Sequence, residues 1–202
     1  MTIARVQTVR KIVLGVALVI GVIFFSVTGS WQPSGTRTHE MIEWVGIVAI
    51  VVCIVGRTWC TMYIGGRKDD QFVTEGPYSI TRNPLYLFSV LGAAGVGAQL
   101  GSVVSGITFG VLAWIVFNVV VLQEERALAA RYPAQFASYR ATVPRFLPHF
   151  RLWHDVPTLT VTPANVVRTF ADAMILLLAV PLTEVIDILQ EAHILPVLFR
   201  LP

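Results

Sequence analysis

Charge is scarce in this 202-residue sequence: Asp, Glu, Lys and Arg make up 13% of it, about half the roughly 25% of an ordinary soluble domain. That deficit excludes a water-soluble surface over most of the chain. Cysteine is scarce too, limited to Cys53 and Cys60. Seven positions apart in one apolar run, these two would stand about 10 Å apart along a helix, beyond the roughly 7 Å Cα separation that a disulfide allows. They read as free core thiols and leave the redox compartment open. Histidine occurs only at His39, His149, His154 and His193, read here as scattered and without metal-ligand spacing, so no metal is expected. The net charge of +3 forms no basic stripe interleaved with aromatics, which argues against a nucleic-acid partner. No Gly-x-Ser-x-Gly nucleophile elbow occurs.

What is abundant is apolar sequence, 55% of residues with a mean hydropathy of +0.70. Runs at about 11–29, 41–64, 85–101 and 103–122 are long enough to cross a bilayer with their flanks. Arg5, Arg10 and Lys11 give the first run the look of a signal peptide, but its length and the lack of a small-residue cleavage signature favour a retained span. Basic residues alternate between connections. Segment 65–84 holds Arg67, Lys68 and Arg82, and segment 123–151 holds Arg126, Arg131, Arg140, Arg145 and Arg151; the 30–43 loop has Arg37 alone. The N-terminus and both basic segments are therefore expected to be cytoplasmic. Gly97-x-x-x-Gly101 and Gly106-x-x-x-Gly110 predict a close hairpin of the third and fourth spans. Gly95-Val-Gly97 is a weak match to a nucleotide-binding loop, since no strand precedes it. Ala173–Leu182 is apolar but interrupted by Pro181 and followed by Glu184 and Asp187, so a tilted fifth helix and an interfacial or re-entrant segment both remain open. The expected class is an all-α, polytopic membrane helix bundle of four or five spans. Residues 1–150 form the main domain, and 151–202 form an appendage with a possible fifth membrane helix.

Two polar cassettes break the apolar runs. The first is Glu75-Gly-Pro-Tyr-Ser-Ile-Thr-Arg-Asn-Pro-Leu-Tyr86. Asn83 suits a helix N-cap and Pro84 the first helical position, which by itself requires only that a span start there. Arg82 could simply anchor at a headgroup, and Tyr78 and Tyr86 could belong to an interfacial aromatic belt. The second cassette, Gln123-Glu-Glu-Arg126, ends the fourth apolar run and leads into Tyr132-Pro-Ala-Gln-Phe-Ala-Ser-Tyr139 and Val143-Pro-Arg-Phe-Leu-Pro148. Its carboxylates fit either a water-facing helix continuing to about Arg131 or a ligand site.

In this order the cassettes resemble those of the membrane methyltransferases that include isoprenylcysteine carboxyl methyltransferase and the phospholipid N-methyltransferases. The resemblance spans roughly residues 45–148. It implies a cytoplasmic pocket for S-adenosylmethionine (SAM), with Tyr78, Arg82, Asn83, Pro84, Tyr86 and Glu124 binding the cofactor and residues 139–148 folding back as a lid. A helix N-terminus and Arg82 would suit SAM's carboxylate, Glu124 its ammonium, and the tyrosines its adenosine. Asn83 stands where the family has histidine, so no ionisable imidazole is available there. Pro133 replaces a usual glycine. Val120 stands where the prenylcysteine enzymes place an arginine for the substrate carboxylate. Arg57, Asn118 and Arg145 are the candidate contacts to a lipophilic small-molecule or lipid acceptor, and no catalytic base is identified. The competing readings are a sterol-reductase-like oxidoreductase and a non-catalytic membrane module with a degenerate pocket.

Overall fold

The computed structural model describes residues 21, 23–31, 34–65 and 72–202. Most of the first expected span, together with Arg5, Arg10, Lys11, Arg67 and Lys68, lies outside the described residues.

Three of the expected spans are helices: α1 (Arg37–Ile64), α3 (Pro84–Ala98) and α4 (Val103–Arg131). Between α1 and α3 lies the single turn α2 (Pro77–Ile80), and after α4 comes α5 (Pro133–Thr142). The two long helices are apolar enough to cross a membrane, and only 39% of that stretch in α1 and 17% in α4 is buried. Val45, Val48, Val55, Ile107, Leu112 and Val116 face outward. A soluble protein would bury such a helix, so an aliphatic exterior of this extent is the surface of a membrane protein.

The bundle closes where side chains are absent. A Cβ on Gly95 would stand 2.6 Å from the Gly46 carbonyl, so α1 and α3 cross backbone to backbone. Gly97, Gly106 and Gly110 lie in the α3–α4 hairpin as expected, whereas Gly101 turns toward α1.

The C-terminal segment runs the length of the bundle. Helix α6 (Pro163–Met174) packs on α1 through Ala173, Ile50 and Ile54. A 3-10 turn (Ile175–Leu178) then leads into α7 (Ala179–Glu191). Pro181 does not end the helix. Its ring and missing N–H conflict with the carbonyl of Leu177, and the chain answers by tightening the preceding turn. Near the start of this segment Asn165 lies against Gly65; near its end Gln190 Nε2 donates to the carbonyls of Ser26 and Thr28, at 3.2 and 3.4 Å.

The all-helical expectation needs one correction. The chain leaves helix at Thr28, and β1 (Thr28–Ser30) pairs in parallel with β2 (Phe199–Leu201), Gly29 opposite Arg200. The first span therefore stops short of the expected residue 29. Three-residue strands leave too little pattern in a sequence to be seen.

Candidate functional site

At the end of the bundle that holds Tyr63, the first cassette is strapped down by the segment after α5. Arg82 N donates to the Pro144 carbonyl (2.9 Å), His149 N to Ile80 (2.9 Å) and Gly76 N to His154 (2.9 Å). The Thr81 hydroxyl lies 3.1 Å from the carbonyls of both Arg145 and Phe146. Tyr139 donates its hydroxyl to the Tyr78 carbonyl at 2.6 Å. Helix α5 rests on Phe72 through Phe136 and Tyr139, the Phe72–Tyr139 rings meeting edge to face at 5.3 Å. The closing segment thus folds over the cassette, as the lid expectation requires.

Beneath this cover lies a cavity of about 250 Å³. Tyr78, Arg82, Asn83, Tyr86 and Glu124 line it, so five of the six expected cofactor residues converge. Pro84 is buried beside them and begins α3 behind N-cap Asn83. The Asn83 side chain makes no capping bond; its Nδ2 donates to Glu125 Oε1 (3.3 Å) and to the Arg145 carbonyl (3.2 Å).

Glu125 is the hub. Arg145 grips it with two nitrogens, at 2.7 and 3.3 Å, and Arg82 Nε stands 3.2 Å from its Oε1. That Arg82 N–H is not aimed along the contact. It is a buried donor with no hydrogen-bond acceptor among the described residues, although NH1 of the same group donates to the Arg140 carbonyl. Burial lowers the Arg82 guanidinium below its ordinary value, with Glu125 acting in the opposite sense. Burial also pushes the phenols of Tyr78 and Tyr139 above the usual tyrosine range, so both remain neutral hydrogen-bonding groups. Glu124, half-buried, faces the cavity from the adjacent position on α4, which continues helical to Arg131.

The three expected acceptor residues do not converge. Arg145 is committed to Glu125. Asn118 is half-buried on α4 and borders neither cavity described here. Arg57 donates to the Ser89 hydroxyl and lines a second cavity of about 420 Å³, with Phe117, Val116, Leu112 and Asp172. Tyr86 borders the first cavity and Phe117 the second, and their rings meet at 5.3 Å. The sequence reading missed Phe72, Leu128 and Phe136 as cavity walls. Only the three-residue spacing of Phe136 and Tyr139 on α5 hinted at a common face.

The opposite end holds a cluster that the sequence reading did not expect. His39 and Glu43, one turn apart on α1, meet Asp187 of α7.

The family model of phospholipid methyltransferases matches residues 44–135. Over 83% of its length the chain is 32% identical to the cobalt-zinc-cadmium resistance protein CzcN of Cupriavidus metallidurans, covering 77% of that protein. It is 29% identical over 92% of its length to the nickel-cobalt-cadmium resistance protein NccN of Alcaligenes xylosoxydans xylosoxydans, covering 87% of it. A shorter stretch, 40% of the chain and 34% of the relative, is 32% identical to protein-S-isoprenylcysteine O-methyltransferase of Schizosaccharomyces pombe. No solved structure matches the chain.

Proposed function

The chain belongs to the phospholipid methyltransferase family of membrane proteins, and from that premise we propose that it is a SAM-dependent methyltransferase acting on a lipophilic acceptor. The observation that carries the proposal is the Arg82 donor, buried without a hydrogen-bond acceptor among the described residues, in the same cavity lining as the Glu124 carboxylate. A zwitterionic amino-acid group needs one cation and one anion on the walls of its pocket, and the aromatic walls of Phe72, Tyr78, Tyr86 and Phe136 suit an adenine. In this reading Arg82 receives the cofactor carboxylate, Glu124 its ammonium, and Glu125 holds Arg82 and Arg145 in place. SAM supplies an electrophilic methyl on a sulfonium. The protein's task is to align an acceptor with it and to exclude water, which the strap of residues 142–154 and the bilayer accomplish together.

The second cavity, reached from the lipid side of α4, takes the acceptor, with the Tyr86–Phe117 pair at its boundary with the cofactor. Arg57 and Asp172 offer polar contacts there. Residues 1–150 form the methyltransferase unit, and the C-terminal segment adds a further crossing to the spans at α1, α3 and α4. The arginine-rich end, with the cofactor cavity, is cytoplasmic. The names of the two resistance proteins do not specify an acceptor; we carry them over as a proposal that this protein works in membranes exposed to divalent transition metals.

Calorimetry with SAM on the purified protein, followed by incubation with methyl-labelled SAM and fractionated lipid extract, tests the reading. Saturable SAM binding and a labelled lipophilic product are expected. Binding of a reduced nicotinamide cofactor in place of SAM would favour a reductase, and binding of neither would leave a non-catalytic module.

A further inference from the structure

We propose that His39, Glu43 and Asp187 form a binding site for one divalent transition-metal ion, of the zinc, cobalt or nickel kind, at the end of the bundle opposite the cofactor cavity. His39 Nε2 stands 3.2 Å from Glu43 Oε1 and 3.9 Å from Asp187 Oδ2, and one ligand atom from each residue lies within 4.8 Å of the others. Two ligands bound tetrahedrally to one zinc ion at about 2.0–2.1 Å stand about 3.3 Å apart; the His39–Glu43 pair is already at that spacing, and the Asp187 carboxylate must swing in by up to about 1.5 Å to complete the set.

The surroundings restrict what the site can hold. His39 is 4% exposed, while the two carboxylate side chains are 24% and 23% exposed, so the imidazole is fixed and the open face is anionic. A buried imidazole favours zinc, cobalt or nickel over magnesium or calcium, which prefer an all-oxygen shell. Three protein ligands leave a fourth position for water. The turn that carries His39 and Glu43 is packed tightly. Gly101, at φ +61°, packs its backbone against the ring, and a Cβ there would fall 2.1 Å from His39 Nδ1. Fully buried Gln99 donates to the Glu43 carbonyl at 3.1 Å. The first contact confines the ring sterically, and the second ties the Glu43 backbone to the end of α3.

Two consequences follow. The ion would clip α7 to the start of α1, joining the C-terminal segment to the bundle. It would also lie about 32 Å from the cofactor cavity, measured from Glu43 to Ile64 at 1.5 Å per residue, or about one bilayer core. On the topology proposed above, metal and cofactor occupy opposite faces of the membrane. The site itself does not depend on the methyltransferase reading.

Cobalt(II) titration of full-length, tag-free protein in detergent, followed by visible absorption and reversed with zinc, tests the proposal. One equivalent of cobalt with d–d bands, displaced by zinc, is expected. Glu43→Gln, Asp187→Asn and His39→Asn should each weaken it by more than about 10-fold, the lower bound for loss of even an outer-shell partner, while Glu191→Gln should not. Circular dichroism establishes that each variant is folded. X-ray absorption of the zinc-loaded wild type reads the ligands without any variant: one imidazole among oxygens supports the site. No saturable cobalt binding, binding indifferent to all three substitutions, or a shell with two or more imidazoles would overturn it.

Discussion

Glu125 has side-chain nitrogens of Arg82, Arg145 and Asn83 within 3.3 Å, whereas Glu124, at the preceding position, lines the cavity half-buried. Substituting them should therefore produce separable losses. Glu124→Gln should leave the fold intact and weaken SAM binding by the worth of a charge-assisted hydrogen bond, about 1.5–3 kcal/mol, or roughly 10- to 150-fold by calorimetry. Glu125→Gln strips the anion from two arginines and should instead cost about 3 kcal/mol of stability, seen as a lower thermal midpoint in detergent. Equal, small effects on binding from both would return the cassette to a solvated helix face. A second residue-scale expectation concerns pH. Burial raises the Tyr78 and Tyr139 phenols above their unfolded value of about 10, so the folded chain holds protons that the unfolded chain has lost. Their stabilisation is complete below about pH 10 and is lost as pH climbs toward the folded values. Melting curves should fall over this alkaline range, and less steeply in Tyr139→Phe. The residue types at this site were legible from the sequence. The hub was not, because which of two adjacent glutamates turns inward depends on helix phase against α3 and on Arg145, well downstream in the chain.

Helices α1, α3 and α4 were legible because long unbroken apolar runs survive in a sequence without any tertiary information. Most ends fell within a few residues, α1 beginning at Arg37 rather than about 41, but α4 runs nine residues past the expected span to Arg131, the helical continuation that one reading of the second cassette allowed. Contacts between distant elements left no such trace. The β1–β2 pair joins residues 28–30 to 199–201, and Asp187 reaches His39 from the other side of the sequence. The His39–Glu43 pair, at i and i+4 on a helix, is visible in the sequence, whereas Asp187 joins it only through the packing of α7. The glycine crossing gives the test at this scale. Gly95→Ala would place a methyl 2.6 Å from a carbonyl of the neighbouring helix, where no side chain can yield. Backbone must move, so a loss of about 1–3 kcal/mol is expected. Gly106→Ala, whose new methyl meets nothing nearer than 3.3 Å, should cost less. Similar midpoints for the two variants would mean that the α1–α3 crossing is looser than described.

As a whole, the molecule sets its arginine-rich cavity and its histidine–carboxylate cluster at opposite ends of an aliphatic bundle, which gives it a direction in the membrane. A thiol reagent that cannot cross membranes should label Ser34→Cys in intact cells and leave Ser138→Cys untouched until the cells are opened, both positions being exposed. The reverse pattern would remove the cytosolic route to the cavity. The same architecture bears on the acceptor. Val120, one turn before Glu124 on α4, supplies no cation where the prenylcysteine enzymes are expected to carry one. Arg145 cannot substitute, since Glu125 already holds it, and Arg57 sits in the second cavity bonded to Ser89. A carboxylate in a poorly solvated site that lacks its charged partner loses about 3–5 kcal/mol, more than about 100-fold in rate. Farnesylcysteine analogues should therefore be methylated poorly, and amine, thiol or hydroxyl lipophiles, for which Asp172 and Arg57 suffice as polar contacts, should be preferred. The assay is formation of a base-labile methyl ester from labelled SAM. If ester forms readily, Arg57→Ala decides between two outcomes: loss of activity would identify Arg57 as the replacement cation, and retention would show that it is not.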